Sequence, residues 1–226
     1  MRVFVRDMLA WIVYGLRYGA WRVSFAMARG GTVHGVRVKL APVLHEEVGT
    51  RALQKVSAAL NLIAEYDPRR MRRIARDMPW IWIQSSAYAP ASFRDHARLC
   101  TLDREWVAAQ ENSPALIAAV LVHEATHARL FRRNIPYPEG ARARVEALCD
   151  AQSAAFARRL PDGEGLARRM LDRRPDETYL SDETLHRRLS DAKPRDLDAT
   201  RKDIEDSDLP AWLKKLLLRL VRLRAA

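Results

Sequence analysis

The sequence predicts an α+β domain, predominantly helical, with a small mixed β-sheet. Three observations predict it. Val36, Val38 and Leu40 alternate with Arg37 and Lys39, the period-two pattern of a half-buried strand. Leu53, Val56, Leu60 and Ile63 then recur at helical spacing. Short runs of high β propensity, "WIWIQ" and "RLCTLDREWV", next give way to long apolar stretches whose periodicity is helical.

Taken in order, the first element is an apolar segment, "MLAWIVYGLRYGAWRVSFAMA", from Met8 to Ala28. Arg17 and Arg22 interrupt it, so it lacks the continuous run of about 18 apolar residues that a membrane span needs. Two readings stay open: a membrane-surface helix or signal anchor, and a helix packed on the core. A cleavable signal fits least, although Ala26-Met27-Ala28 has the small residues of a cleavage site. Gly30-Gly31 ends this segment, and Pro42 stops the strand that follows. The backing helix runs from Glu46 to Tyr66 and closes at Asp67-Pro68. "RRMRRIARDM" is a short basic helix ended by Pro79, and "WIWIQ" is the next strand. Ser85 to His96 reads as loop, and "RLCTLDREWV" as a strand ending near Trp106. Asn112-Ser113-Pro114 supplies a capping residue and a first-turn proline for a helix reaching about Arg133. Pro136 and Pro138 break the chain before an alanine-rich helix from Glu139 to Arg159. Short helices are expected over Gly165–Arg173 and Asp182–Leu189, then a charged linker over Ala192–Asp208. The last stretch, "PAWLKKLLLRLVRLR", is an amphipathic basic helix. The expected division is an N-terminal segment (1–29), a central domain (30–160) and a helical C-terminal extension (161–226).

The 226 residues are 48% hydrophobic, enough to bury a core, which excludes a disordered polymer. With two cysteines, Cys100 and Cys149, the chain is neither a disulfide scaffold nor a cysteine-rich zinc cluster. The formal charge of +11 favours anionic partners. The basic N- and C-terminal helices suit an anionic membrane surface or packing on the domain. "RRMRRIAR" could touch phosphate, but nucleic acid is the weaker reading. No zinc-finger spacing, RNA-binding signature or helix-turn-helix accompanies the charge. The expected location is the cytoplasm or the cytoplasmic face of a membrane.

The chemistry concentrates in "AVLVHEATHARLF", Ala119 to Phe131. On the helix that starts at Pro114, His123 and His127 continue the apolar stripe of Leu116 and Val120, one turn apart on the inward face. Both imidazoles can then reach one ion. Glu124 is rotated about 100° from His123, toward a water rather than the ion. This is the HExxH arrangement, in which zinc sits on the two histidines and the glutamate is the general base. A catalytic zinc usually has three protein ligands, so another is needed. "RVEALCDAQ" on the following helix offers Glu146 and Asp150, four residues apart on one face. Val145, Leu148 and Phe156 belong to a buried stripe beside them. Carboxylates in such a place are costly without partners. An ion for Glu146 and a zinc-bearing histidine for Asp150 would supply them.

This pattern resembles the gluzincin, or thermolysin-like, zinc metallopeptidases. In them HExxH is followed, after a short loop, by a helix carrying a glutamate ligand and an aspartate four residues later. The resemblance covers mainly Pro114 to Arg159. It implies a zincin-like catalytic domain with a backing helix, the motif helix and the glutamate helix against a small sheet. It implies Zn2+ on His123, His127 and Glu146, with Glu124 as general base and Asp150 orienting His123. It implies hydrolysis of a peptide or protein substrate. In that family the last strand before the motif helix lines the cleft and pairs with substrate, which points to "RLCTLDREWV". The family's tyrosine or histidine that steadies the transition state has no clear counterpart; Tyr137, Tyr179 and His186 stand as substitutes without motif support. A metzincin would need further histidine and glycine, but position 130 is Leu and position 133 is Arg.

Other residues carry no assignment. His34, His45 and His96 are isolated, Arg142 and Arg144 read as solvated helix residues, and Cys149 as a small core residue. Two other function classes stay open: a membrane-surface or scaffold protein with a structural or degenerate zinc site, and a nucleic-acid-binding domain with an incidental motif.

Overall fold

A computed structural model describes residues 28–41, 46–86, 89–172 and 180–205, with the short pieces 211–212, 214–215 and 218–219. The expectations for residues 1–27, His45, Tyr179 and most of the last basic stretch lie outside the described residues.

The architecture is α+β, predominantly helical, with one mixed five-stranded sheet. Strands β1 (Arg29–Val33) and β2 (Val36–Leu40) form an antiparallel hairpin. Helices α1 (Glu46–Tyr66) and α2 (Pro68–Asp77) lead to β3 (Trp80–Gln84), which is parallel to β2. Then come β4 (Ala91–Arg94), a 3-10 turn (Asp95–Ala97), β5 (Leu99–Asp103) and a short helix α3 (Arg104–Ala108). Four helices are described after it: α4 (Pro114–Arg132), α5 (Glu139–Ala157), α6 (Glu164–Leu171) and α7 (Asp182–Glu205) are the remaining elements. The strand order is β1-β2-β3-β5-β4, with β2, β3 and β5 parallel and an antiparallel strand at each edge.

Alternation fixes which face of the sheet meets the helices. Val36, Val38 and Leu40, Ile81 and Ile83, and Cys100 and Leu102 all turn into one core. There they meet Val56, Leu60 and Ile63 of α1 and Ile117 and Leu121 of α4. These side chains are essentially inaccessible. Burying each large one stabilises by about 1.5–3 kcal/mol, so this stripe outweighs the weak local propensities. Trp82 and Leu99 face the other side of the sheet.

Four local expectations are corrected. Residues 33–36 are a hairpin, not the start of one strand: Val33 pairs with Val36 around the two-residue loop His34-Gly35. Both loop residues have positive φ, 47° and 85°, which glycine tolerates at its position. Residues 85–96 are not all loop, because β4 pairs antiparallel with β5. The strand does not reach Trp106. The Asp103 carboxylate accepts a hydrogen bond from the Trp106 amide at 2.7 Å and caps α3 there. The stretch from Ala192 is helical through Glu205, and Pro194 lies inside α7.

Among the described residues, no helix is long and apolar enough to cross a membrane.

Candidate metal centre

The candidate centre lies between α4 and α5. Ser113 starts α4 by accepting a hydrogen bond from the Leu116 amide at 3.2 Å, with Pro114 in the first turn. The far end closes with Asn134 at φ 55°. There the Ile135 and Asn134 amides donate to the Leu130 and Phe131 carbonyls at 3.0 and 2.9 Å. This is the Schellman ending, and Pro136 prevents any continuation. Small residues let α5 approach closely: Ala119 faces Ala154 and Ala157 in one buried cluster. The Ser153 hydroxyl donates to the Ala119 carbonyl at 2.9 Å across the pair.

That approach brings side chains from the two helices together. His123 Nε2 lies 3.1 Å from Glu146 Oε2 and 3.2 Å from His127 Nε2. His127 Nε2 is 3.3 Å from Glu146 Oε1. On its other side, His123 Nδ1–H donates to Asp150 Oδ1 at 3.0 Å. Tyr137, in the turn between the helices, donates its hydroxyl to Glu146 Oε1 and sets its ring edge-on to His127. Glu124 is 7% exposed and opens on the same cleft. Its carboxylate has no hydrogen bond among the described residues.

The electrostatics follow from this crowding. Burial opposes a charge on His123, but hydrogen bonds to Asp150 and Glu146 outweigh it and push its pKa up to about 10. Burial likewise opposes charge on Glu146, yet the two imidazoles hold its carboxyl well below the usual range. Burial, then Glu146, raises the Tyr137 phenol. Cys149 is pushed far up, first by burial and then by Glu146, Glu124 and Asp150. Three carboxylates therefore make this pocket strongly negative.

The donor set fits a small divalent cation. A four-coordinate ion with bonds of about 2.0–2.1 Å sets its ligand atoms about 3.3 Å apart, close to the separations of the two imidazoles and Glu146. Cys149 adds a donor that the sequence reading left in the core. Its sulfur and ring nitrogens of His123 and His127 lie within 4.8 Å of one another, a cluster that could hold a metal. The signal was available, since position 149 is three residues after Glu146 on the same helix. Glu146 touches both imidazoles as well, at 3.1 and 3.3 Å.

The remaining sequence candidates are more scattered. Leu148, expected in the buried stripe, is 42% exposed, while Val145 and Phe156 are buried. His186 is exposed on α7, and its Nδ1 bonds to the Asp182 carbonyl at 2.7 Å. Arg142 is not a solvated residue: it donates to the Leu180 carbonyl at 2.9 Å and pairs with Asp182 at 2.5 Å. It thereby ties the start of α7 to α5.

The imidazoles line a cleft of about 1120 Å³. One wall is Ala91, Ser92 and Phe93 of edge strand β4. The strand expected there, β5, is an interior strand paired on both sides. Leu180 and Leu185 contribute from the opposite end of the chain. No known family model, curated protein or solved structure matches this chain.

Proposed function

We propose that this chain is a zinc-dependent metallopeptidase of the gluzincin type, with a zincin-like catalytic domain. The observation that carries the reading is the convergence of His123, His127 and Glu146 within 3.1–3.3 Å, with Asp150 behind His123. His123, His127 and Glu146 would hold the ion. A zinc ion there supplies an acidified water and a Lewis acid for the scissile carbonyl.

The chain's own groups do the rest. Asp150 fixes the tautomer and the direction of the His123 ring. Glu124 receives a proton from the attacking water and returns it to the leaving amine. Tyr137 suits a positioning role, since its hydroxyl is already committed to Glu146. The outer edge of β4, which pairs with no other strand among the described residues, can pair with an extended peptide, and Phe93 borders that path. Peptide and protein chains are thus the substrates that fit.

The test is metal content and cleavage of an unfolded protein substrate, for the native chain and Glu124→Gln. The variant should keep its zinc and lose about 10²–10⁴-fold in rate. Equal cleavage by both proteins would remove Glu124 from the chemistry.

One observation favours a second reading, a closed structural zinc site. With Cys149 as a fourth ligand beside Glu146, no position would remain for substrate. Cys149→Ser separates the two in the same assay. An open catalytic site keeps zinc and cleavage, whereas a closed site loses its ion.

A further inference from the structure

At the C-terminal end of α4 the charge pattern is the reverse of that in the cleft. Arg76 and Arg132 both close on Asp77, at 2.7 and 2.9 Å. The Asp77 side chain is only 1% exposed, so its charge is sequestered beneath them. Arg98 reaches the backbone carbonyls of Arg76 and Asp77. Arg129 and Arg133 stand one turn apart at this end of α4, and Arg73 stands one turn before Asp77 on α2; burial first, then Arg133 and Arg73, holds Arg129 below its usual pKa. Of these six arginines only Arg76 and Arg132 pair with the carboxylate, and Arg73, Arg76, Arg98, Arg132 and Arg133 are exposed. Crowding of this kind repels itself until an anionic surface arrives.

A second observation adjoins the first. Residues 131–140 are exposed throughout. Phe131 and Ile135 are 44% and 43% exposed there, beside the arginines. Both also line the mouth of the cleft, where the Phe131 ring packs on Phe93 at 6.1 Å, so the basic face adjoins an exposed apolar rim of the cleft.

The geometry points to an anionic lipid bilayer as the partner of this face. The arginines meet the headgroups, and Phe131 and Ile135 enter the interface. Nucleic acid fits worse. The arginines come from the ends of two helices and a 3-10 turn, not from one element that could follow a groove.

The experiment uses the full chain and vesicles of phosphatidylcholine with and without phosphatidylglycerol. The basic terminal sequences could bind such vesicles by themselves, so the variants alter this face alone. Arg73→Gln with Arg133→Gln touches neither ligand of Asp77. This pair should weaken partition into the anionic vesicles about 30-fold. The corresponding Lys pair should bind like the native chain. An environment-sensitive dye on Ile135→Cys should shift to the blue with anionic vesicles only; Cys100 and Cys149 are buried and stay unlabelled. Three results would overturn the proposal: undiminished binding by the Gln pair, a dye that does not respond, or an oligonucleotide bound in place of the vesicles.

Discussion

Helix α4 carries two clusters of charge that differ in every respect but their chemistry of pairing. Midway along it, His123, Glu124 and His127 join Glu146 and Asp150 in a buried, acid-rich pocket. At its end, Arg129, Arg132 and Arg133 join Arg73, Arg76 and Arg98 on an exposed, basic surface around Asp77. In the pocket both nitrogens of His123 and Nε2 of His127 have close partners, because an unpaired charge away from water is costly. On the surface, Asp77 pairs with Arg76 and Arg132, and water and salt screen the guanidiniums around them. The pocket could hold one small cation, and the surface would suit a large anion.

The difference is sharpest in its response to pH. In the metal-free chain, His123 has a folded pKa of about 10, above the unfolded 6.5. Its contribution to stability is complete below pH 6.5 and is lost as the pH rises through 10. Zinc requires the neutral ring, so a proton competes with it over the same range. Zinc affinity should therefore rise about tenfold per pH unit, near 100-fold between pH 7 and 9. Titration in buffers of different ionisation enthalpy should register the released proton. Chelated protein should melt lower at pH 10 than at pH 7. A flat affinity profile would show that the imidazole is not charged by its two carboxylates.

Asp150→Asn tests the same pairing from behind. The amide cannot carry the charge that holds His123, so zinc affinity should fall about 10–100-fold with the fold intact. Competition against a chromogenic chelator would measure it, and an unchanged affinity would reduce Asp150 to a bystander.

The surface cluster should respond less. Arg132→Gln leaves Asp77 with Arg76 and should cost about 1 kcal/mol in urea unfolding. Adding Arg76→Gln strands the carboxylate and should cost about 3 kcal/mol in all. A double variant that simply adds two small losses would mean that Asp77 has other support.

Much of the pocket was legible because helical spacing is rigid. One turn between His123 and His127, and one between Glu146 and Asp150, settle which side chains share a face. The Tyr137 contact could not be read, since it depends on the path of a turn rather than a period. Sheet details were read only where alternation is strong, as in Val36–Leu40. Strand β4, "ASFR", has almost no pattern of its own and is extended because β5 offers it partners. Its cleft-lining place therefore had to be corrected from β5. Past Ala192 the dense charge and Pro194 resemble a linker, yet solvated faces and a proline do not prevent α7 from continuing.

The joint between α4 and α5 is only six residues long, 133–138, and it contains two prolines. So short and stiff a bridge leaves the two helices little freedom to drift apart when the pocket is emptied. Under the proposed zinc reading, the metal-free protein would be a ready-made receptor, not a coil awaiting its nucleus. Little of the binding energy would then go into ordering the chain, and repeated cycles of chelation and reloading should return the same molecule each time.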